Sequence, residues 1–493
     1  MPKIIKNVLL IYPPTVTEKR FYTKMVSLPL GIAYIASMLK DDYRISILDA
    51  SVEGYDKEIS VAEDRTFFRF GLDFDQIKQK VKELSPDCVG ISCMLSLQYP
   101  SVRKICRDIK DINKGIHLLL GGPYPSYYAA EIMSRNRDVD FIIRGEGEYA
   151  TRDLFSAINQ GESLSEIDGL CFRKDDQFIV NPKRTFIENL DQLPFPDRGL
   201  FSLEKYNAHQ PFWAIPVKGK KYTSLVTSRG CPTRCSFCYS STYWGMQYRA
   251  RSVENVISEI EELIHKYEVT NFHFVEDNLT LDRQRAKNLF KEIINRKLDI
   301  SWCAPNGVCL WTLDEELIAL MKQSGCYELN FGIESGSQEV LNKIIKKPLN
   351  LKEAERIIRE LKKNKIFASG YFILGFPGET KEDIRKTVAF ERKLNLDRSI
   401  FFSATPFAGT ALYQTCKEQG YISSDYDESF NEIFSAKFNN HDMTKEELDR
   451  LIMICYGLHI LKNFLSHPFR WRQLWQIWGK TLVYKFLYFL RLR

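Results

Sequence analysis

The chain has 493 residues, 44% apolar and 27% charged, with no low-complexity run, which excludes a disordered or fibrous protein and leaves room for two or three globular domains. Its net charge of +6 is concentrated at one end: seven basic residues and no acid lie between Leu451 and Arg493, so the remainder carries −1 and offers no general nucleic-acid surface. Twelve cysteines follow no regular framework, and Met1-Pro2-Lys3-Ile4-Ile5-Lys6 runs into a strand-like segment without a secretory signal; both point to a reducing cytoplasm.

Residues 1–155 alternate strands and helices. Lys6-Asn7-Val8-Leu9-Leu10-Ile11-Tyr12 reads as a buried parallel strand stopped by Pro13 and Pro14. The segment 28–40 has helical spacing with Pro29 in the first turn. Strands are expected at 44–48, 87–92, 117–122 and 140–148, the last opening another helix, with helices also at 75–83 and 101–113. This pattern predicts a doubly wound, Rossmann-like parallel sheet, whose ligands bind at the carboxyl ends of strands. Those ends carry Pro14, Ser92, Gly121, Gly122, Gly145 and Glu146. Small residues there let a backbone approach a large planar or phosphate-bearing ligand.

Residues 156–222 read as a linker. Short strand-like pieces cover 161–186, and Leu193-Pro194-Phe195-Pro196 is held extended by its prolines. Phe212, Trp213 and Tyr222 are expected in cores.

Residues 223–425 contain six strand–helix steps in about 200 residues, short of the roughly 250 of a complete eight-step barrel. A partial (β/α)6 barrel is expected, with its chemistry at the carboxyl ends of the strands. The loop after the first strand is Gly230-Cys231-Pro232-Thr233-Arg234-Cys235-Ser236-Phe237-Cys238. Three thiolates at C-x3-C-x2-C spacing can hold three irons of a 4Fe–4S cluster and leave the fourth open to a ligand. Core packing is the bland alternative, but glycine, proline and arginine in the loop argue against it. Structural zinc sites use four closed ligands, and electron-transfer clusters normally use four cysteines; no fourth cysteine is near in sequence. Further strand ends carry Glu276-Asp277-Asn278, Glu334-Ser335-Gly336, Gly375-Phe376-Pro377-Gly378 and Pro406-Phe407, which together ring one mouth. For each acid the bland reading is a helix cap or a surface ion pair.

The first domain resembles the cobalamin-binding domain that precedes many radical S-adenosylmethionine enzymes, through Pro13-Pro14, Pro29-Leu30-Gly31, Gly121-Gly122-Pro123 and Arg144-Gly145-Glu146-Gly147-Glu148. It lacks the D-x-H-x-x-G loop whose histidine ligates cobalt in many cobalamin proteins; its first histidine, His117, opens a strand and reads as structural. A Rossmann-like scaffold without cobalamin is the alternative. The barrel region resembles the radical S-adenosylmethionine superfamily throughout, most specifically in its three-cysteine motif. The resemblance implies that Cys231, Cys235 and Cys238 ligate the cluster and that Phe237 lies near the adenine. It implies that Glu276 or Asp277 meets the methionine ammonium, although the glycines of the family's G-G-E motif are absent, and that Glu334, with Ser335 and Gly378 in the neighbouring loops, addresses the cofactor's ribose or methionine. No catalytic residue beyond these is assigned. The implied activity is cobalamin-dependent methylation of an unactivated carbon, with an electron donor such as flavodoxin or ferredoxin and a small-molecule or lipid-like substrate. A cobalamin-type cyclase or ring-rearranging enzyme is the alternative; a radical methylthiotransferase or a non-catalytic iron–sulfur module stands further off.

Residues 426–493 are expected to be helical. Beyond Pro468, tryptophans, tyrosines and basic residues suit either an interfacial helix on an anionic bilayer, giving peripheral membrane association, or a helix packed over the barrel. Lys480 and Lys485 interrupt any membrane-spanning run.

Overall fold

The computed structural model describes residues 4–19, 24–61, 66–175, 177–211, 214–215, 217, 220–423, 425–426, 428, 431 and 433–466. Phe212, Trp213 and the basic-aromatic segment after Pro468 lie outside the described residues. The described chain forms two compact units, the first reaching Gln210 and the second beginning at Pro211.

The first unit is a seven-stranded sheet. Its strands are β1 (Asn7–Tyr12), β2 (Arg44–Asp49), β3 (Cys88–Ser92), β4 (His117–Gly121), β5 (Phe141–Ile143), β6 (Leu170–Lys174) and β7 (Gln177–Val180), in the order β7-β6-β5-β4-β3-β1-β2. The first five are parallel and follow the 2-1-3-4-5 order of doubly wound folds, whose direction of winding reverses between β1 and β3. β6 and β7 add antiparallel, so the segment read as a linker contributes two strands to this sheet. β1 is buried on both faces. Leu9 and Ile11 join one core with Val102, Ile105 and Ile109 of α3 (Tyr99–Ile112). Val8 and Leu10 join another with Ile32 and Ala36 of α1 (Leu30–Leu39) and Leu154 and Phe155 of α4 (Glu148–Gln160). α2 (Phe74–Leu84) starts at Asp73, whose capping box with Gln76 satisfies the first-turn donors. Asp49 closes β2, accepting from the Ser51 and Val52 amides and the Tyr206 hydroxyl. Burial pushes its carboxyl up to about 6 despite these donors. His117 stands at the amino end of β4, away from the carboxyl edge.

The second unit is a six-stranded parallel sheet in sequence order: β8 (Lys221–Leu225), β9 (Val269–Phe274), β10 (Ser301–Ala304), β11 (Cys326–Glu334), β12 (Phe367–Leu374) and β13 (Arg398–Ser403). It is an open, partial barrel. Helices α5 (Val253–Tyr267), α6 (Arg283–Asn295), α7 (Glu315–Gln323), α8 (Leu351–Lys363) and α9 (Lys381–Leu394) fill the crossovers. Each begins at a residue whose side chain accepts a first-turn amide: Ser252, Asp282, Asp314, Asn350 and Thr380. Apolar faces such as Ile257 and Ile260, Leu289 and Phe290, and Ile357 and Ile358 are buried.

The open edge at β13 presents unpaired backbone groups, and α10 (Lys445–Ser466) satisfies them with side chains. His459 Nε2 accepts from the Ser399 amide at 2.9 Å, while its Nδ1 faces Glu391 at 2.9 Å. The Tyr456 hydroxyl bridges the Phe401 amide and carbonyl, each at 3.1 Å. Further along, the Ser403 amide donates to the Ile433 carbonyl. His459→Leu is therefore expected to destabilise the second unit by about 2–4 kcal/mol, because the buried Ser399 amide and Glu391 each lose a partner. Ile454→Ala on the exposed face of the same helix should stay within about 0.5 kcal/mol. Urea midpoints compared between the two variants check this.

Candidate active site

The cysteine loop is fastened at its root by arginines from the first two crossovers. The Thr227 carbonyl accepts from the Arg251 amide at 2.9 Å and from Arg285 Nη2 at 3.1 Å. Arg251 also holds the Val226 carbonyl and pairs with buried Glu259. Ser228-Arg229 then pairs antiparallel with Arg249-Ala250. Gly230 turns the chain at φ +85°, and a Cβ there would stand 2.1 Å from the Gln247 carbonyl oxygen, so only glycine fits. The Ser236 amide donates to the Ile345 carbonyl, and the Cys238 amide to the Cys235 carbonyl.

This loop opens onto a cavity of about 340 Å³ inside the second unit. Cys231, Cys235, Cys238, Phe237, Asp277 and Glu334 all line it, six expected site residues from three different strand ends. The three cysteines are half-buried, whereas eight of the other nine are fully buried; the exception is Cys309, which lines the same cavity. Burial pushes the Cys235 thiol up to about 11 and the Cys238 thiol up to about 12. Among the described residues no group of three or more His, Cys, Asp or Glu could hold a single metal ion. A cluster needs no such convergence, because each thiolate takes a different iron. Three half-buried cysteines lining one cavity are the donor set that a three-cysteine cluster takes.

The adjacent acids Glu276 and Asp277 part company. Asp277 lines the cavity, its carboxylate accepting from the Ser240 hydroxyl, and burial raises its pKa. Glu276 does not line the cavity. It is 5% exposed and accepts from Thr227 Oγ1 at 2.5 Å, tying the loop root to the end of β9. Burial pushes it up to about 7. Ser335 and Gly378 also stand outside the cavity lining. Ser335 is buried against Thr387 of α9, and Gly378 sits at φ +80° in a turn that Glu379 organises.

Glu379 Oε2 accepts from the Gly375 and Phe376 amides at 2.7 and 3.1 Å, which presents Phe376 to Phe237 with ring centroids 6.1 Å apart. Burial pushes the Glu379 carboxyl from 4.5 up to about 8. A raised carboxyl contributes stability that is complete below its unfolded value and lost as pH climbs through the folded one. Glu379→Gln mimics the neutral acid, so it should gain on the parent protein between about pH 5 and 8, by on the order of 4 kcal/mol. Paired denaturation curves at pH 5 and pH 8.5 read this directly.

Other lining residues were assigned no role from the sequence. Cys309 receives a hydrogen bond from Asn278 Nδ2 at 2.9 Å. The Tyr371 hydroxyl donates to the Pro305 carbonyl at 2.6 Å and accepts from Asn330. Lys347 reaches into the cavity and pairs with Glu334 at 2.9 Å. Trp311, Phe402 and Phe407 give the remaining wall an aromatic character.

In the first unit, the expected small residues gather at the carboxyl edge. Ser92 and Gly121 are partners across β3 and β4. A Cβ on Gly121 would meet nothing within 4 Å, while Gly122, at φ +101°, would place one 2.6 Å from the Cys93 carbonyl oxygen. Gly145, at φ +74°, donates its amide to the Ser126 hydroxyl oxygen at 2.9 Å. The result is a ledge of backbone that a large macrocycle can approach closely. Two expected contacts are inward: Pro14 is buried near Gly71, and Glu146 is 3% exposed and accepts from the Ile187 amide at 2.7 Å.

A doubly wound unit with such a ledge, and a partial barrel with three cysteines and two acids at its mouth, define a cobalamin-binding type of radical S-adenosylmethionine enzyme. The B12 binding domain model matches residues 23–155, and the radical SAM superfamily model matches residues 225–390. An uncharacterized methyltransferase of Pyrococcus horikoshii is 32% identical over 452 residues, 92% of each chain. The cytidylyl-2-hydroxyethylphosphonate methyltransferase of Streptomyces wedmorensis is 31% identical over 445 residues, 85% of this chain and 83% of its own. The structure of the radical S-adenosylmethionine methyltransferase TsrM from Kitasatospora setae, with cobalamin and a [4Fe-4S] cluster bound, shares the fold at a TM-score of 0.67 and 20% identity, covering 84% of this chain and 78% of that one. Matches of lower identity include anaerobic magnesium-protoporphyrin IX monomethyl ester cyclases. The chain belongs to the cobalamin-binding-domain radical S-adenosylmethionine enzymes.

Proposed function

We propose that this enzyme methylates an unactivated carbon of a small molecule, with Cys231, Cys235 and Cys238 holding the cluster. The observation that carries this reading is the convergence of the three thiols with Asp277, Glu334 and Phe237 on one cavity. When bound, the cluster and S-adenosylmethionine supply a 5′-deoxyadenosyl radical, and cobalamin supplies a transferable methyl group. The chain's own contribution is placement. Asp277 accepts from the methionine ammonium, Glu334 from the ribose hydroxyls or the ammonium, and Phe237, backed by buried Phe376, packs the adenine side and excludes water. The ledge of Gly121, Gly122 and Gly145 receives the corrin face.

Two further parts rest on the sequence. The twelve cysteines are all unpaired, which suits a reducing cytoplasm and an electron donor such as flavodoxin or ferredoxin. The acid-free tail after Pro468 suits an apolar, lipid-like substrate or peripheral contact with an anionic bilayer. Among the described residues no helix is long and apolar enough to cross a membrane. Removal of the tail should lower the fraction pelleting with anionic vesicles; unchanged pelleting overturns the membrane contact.

S-Adenosylmethionine carrying a labelled methyl group tests the reaction. Anaerobic extracts of cells that lack the enzyme are incubated with reconstituted protein. Label in a carbon-bound methyl of a new product, with 5′-deoxyadenosine and S-adenosylhomocysteine formed together, is the expected outcome. Product formation with 5′-deoxyadenosine but no transferred label would establish the cyclase alternative.

A further inference from the structure

Lys347 is a charged group that neither the cysteine motif nor the acid positions account for. Its side chain is 10% exposed, yet it lines the cavity with Cys231, Cys235 and Cys238. Three local features bring it there. The segment Val340–Ile345 is a π-helix, wider than an α-helix, and ends at Lys346 in the left-handed region. The Lys347 amide then returns to the Leu341 carbonyl. The Ile345 carbonyl holds the Ser236 amide between Cys235 and Cys238, so the turn that delivers Lys347 is bonded to the cysteine loop itself.

The ammonium meets Glu334, which is 7% exposed and sits at φ +64°, an unusual conformation for a side chain with a Cβ. Gly332 makes room for the pair. A Cβ there would lie 2.4 Å from Glu334 Oε1 and 2.8 Å from Lys347 Nζ. Trp311 closes the other side, its ring centroid 5.7 Å from Nζ. Burial alone would depress the lysine, but Glu334 and the sulfurs of Cys235 and Cys309 outweigh it and raise its pKa above the ordinary value. Lys347 thus pairs with the Glu334 carboxylate and shares the cavity with the three cysteines.

We infer that Lys347 and Glu334 form an electrostatic pair that sets the reduction potential of the cluster held by Cys231, Cys235 and Cys238, the ammonium favouring the reduced state and the carboxylate opposing it. The inference rests on the cluster reading above. Reduction adds one negative charge beside the three thiolates, so a buried cation lining the same cavity stabilises the product of the reduction and a buried anion destabilises it. Lys347 is a positioning residue in this account. It touches Glu334 and acts on the cluster through space.

The test is an anaerobic redox titration of the reconstituted full-length protein, followed by the electron paramagnetic resonance signal of the reduced cluster. Lys347→Met should make the reduced-to-oxidised ratio at fixed potential at least tenfold smaller, a fall of about 59 mV or more for one electron. Glu334→Gln should move the ratio in the opposite direction, and Lys347→Arg should restore the parent value. Gly332→Ala displaces both charges while meeting only flexible side-chain ends, so its midpoint should lie between those of the two single variants. Shifts of one sign for both partners, or unchanged midpoints, overturn the inference. If Lys347→Met takes up no iron, the direction of the Glu334→Gln shift decides alone. Parent protein that assembles no cluster would refute the cluster reading instead, and iron analysis before titration separates the two failures.

Discussion

Cys235→Ala should abolish both the iron content of the reconstituted protein and its cleavage of S-adenosylmethionine, the latter by at least ~10³-fold, whereas Cys303→Ala should leave both close to the parent. The contrast follows from placement. Cys235 lines the cavity in a loop whose backbone is fixed by Gly230, the Ile345 carbonyl and the Arg285 fork. Cys303 is fully buried in β10, and burial holds its thiol well above the ordinary range. A buried neutral thiol is a small apolar residue, and its truncation is felt only in packing. The paired measurement is iron per chain and 5′-deoxyadenosine formed under dithionite. Equal effects from both variants would mean that cysteine loss acts through folding.

Asp277→Asn should weaken S-adenosylmethionine binding about 10- to 150-fold, and Glu276→Gln should change it less than about threefold. A charge-assisted hydrogen bond to an ammonium is worth about 1.5–3 kcal/mol, which sets the first figure. Only Asp277 faces the cavity; Glu276 is spent on Thr227 at the loop root. The second variant carries its own signature. Glu276 is raised from 4.5 to about 7 by burial, so its favourable contribution is complete below pH 4.5 and gone above pH 7. Glu276→Gln should therefore unfold at higher denaturant than the parent above pH 7, and near the parent midpoint at pH 5. Equilibrium binding by anaerobic filtration, with unfolding curves at both pH values, checks the pair.

These contrasts also mark what the amino-acid pattern could and could not convey. The cysteine spacing and the glycine-rich strand ends stand out in the sequence because thiol spacing and close backbone approach are local needs, whereas the positive φ of Gly230 is visible only in the fold. The choice between Glu276 and Asp277 was not readable. Both follow the end of β9 at Phe274, where the two-residue alternation of a strand no longer governs which side chain points inward. Lys347 was hidden for a related reason. In Lys346-Lys347-Pro348 it reads as part of a solvated charge run, and only the π-helical turn before it carries the ammonium inward. β6 and β7 were read as a linker because an antiparallel hairpin after five parallel strands breaks the strand–helix rhythm by which the first unit is recognised. Glu146 sat in the expected motif and was assigned to the ligand edge. Its buried bond to the Ile187 amide instead fastens the chain that follows β7.

The central claim is that one chain holds a three-cysteine cluster and cobalamin together and uses both on S-adenosylmethionine. The most direct measurement is iron and cobalt per chain after anaerobic reconstitution with iron, sulfide and cobalamin, followed by gel filtration. The account predicts about four irons and one cobalamin retained per chain, with the iron lost and the cobalamin kept in Cys235→Ala. Protein that keeps its iron but releases all cobalamin on the column would contradict it.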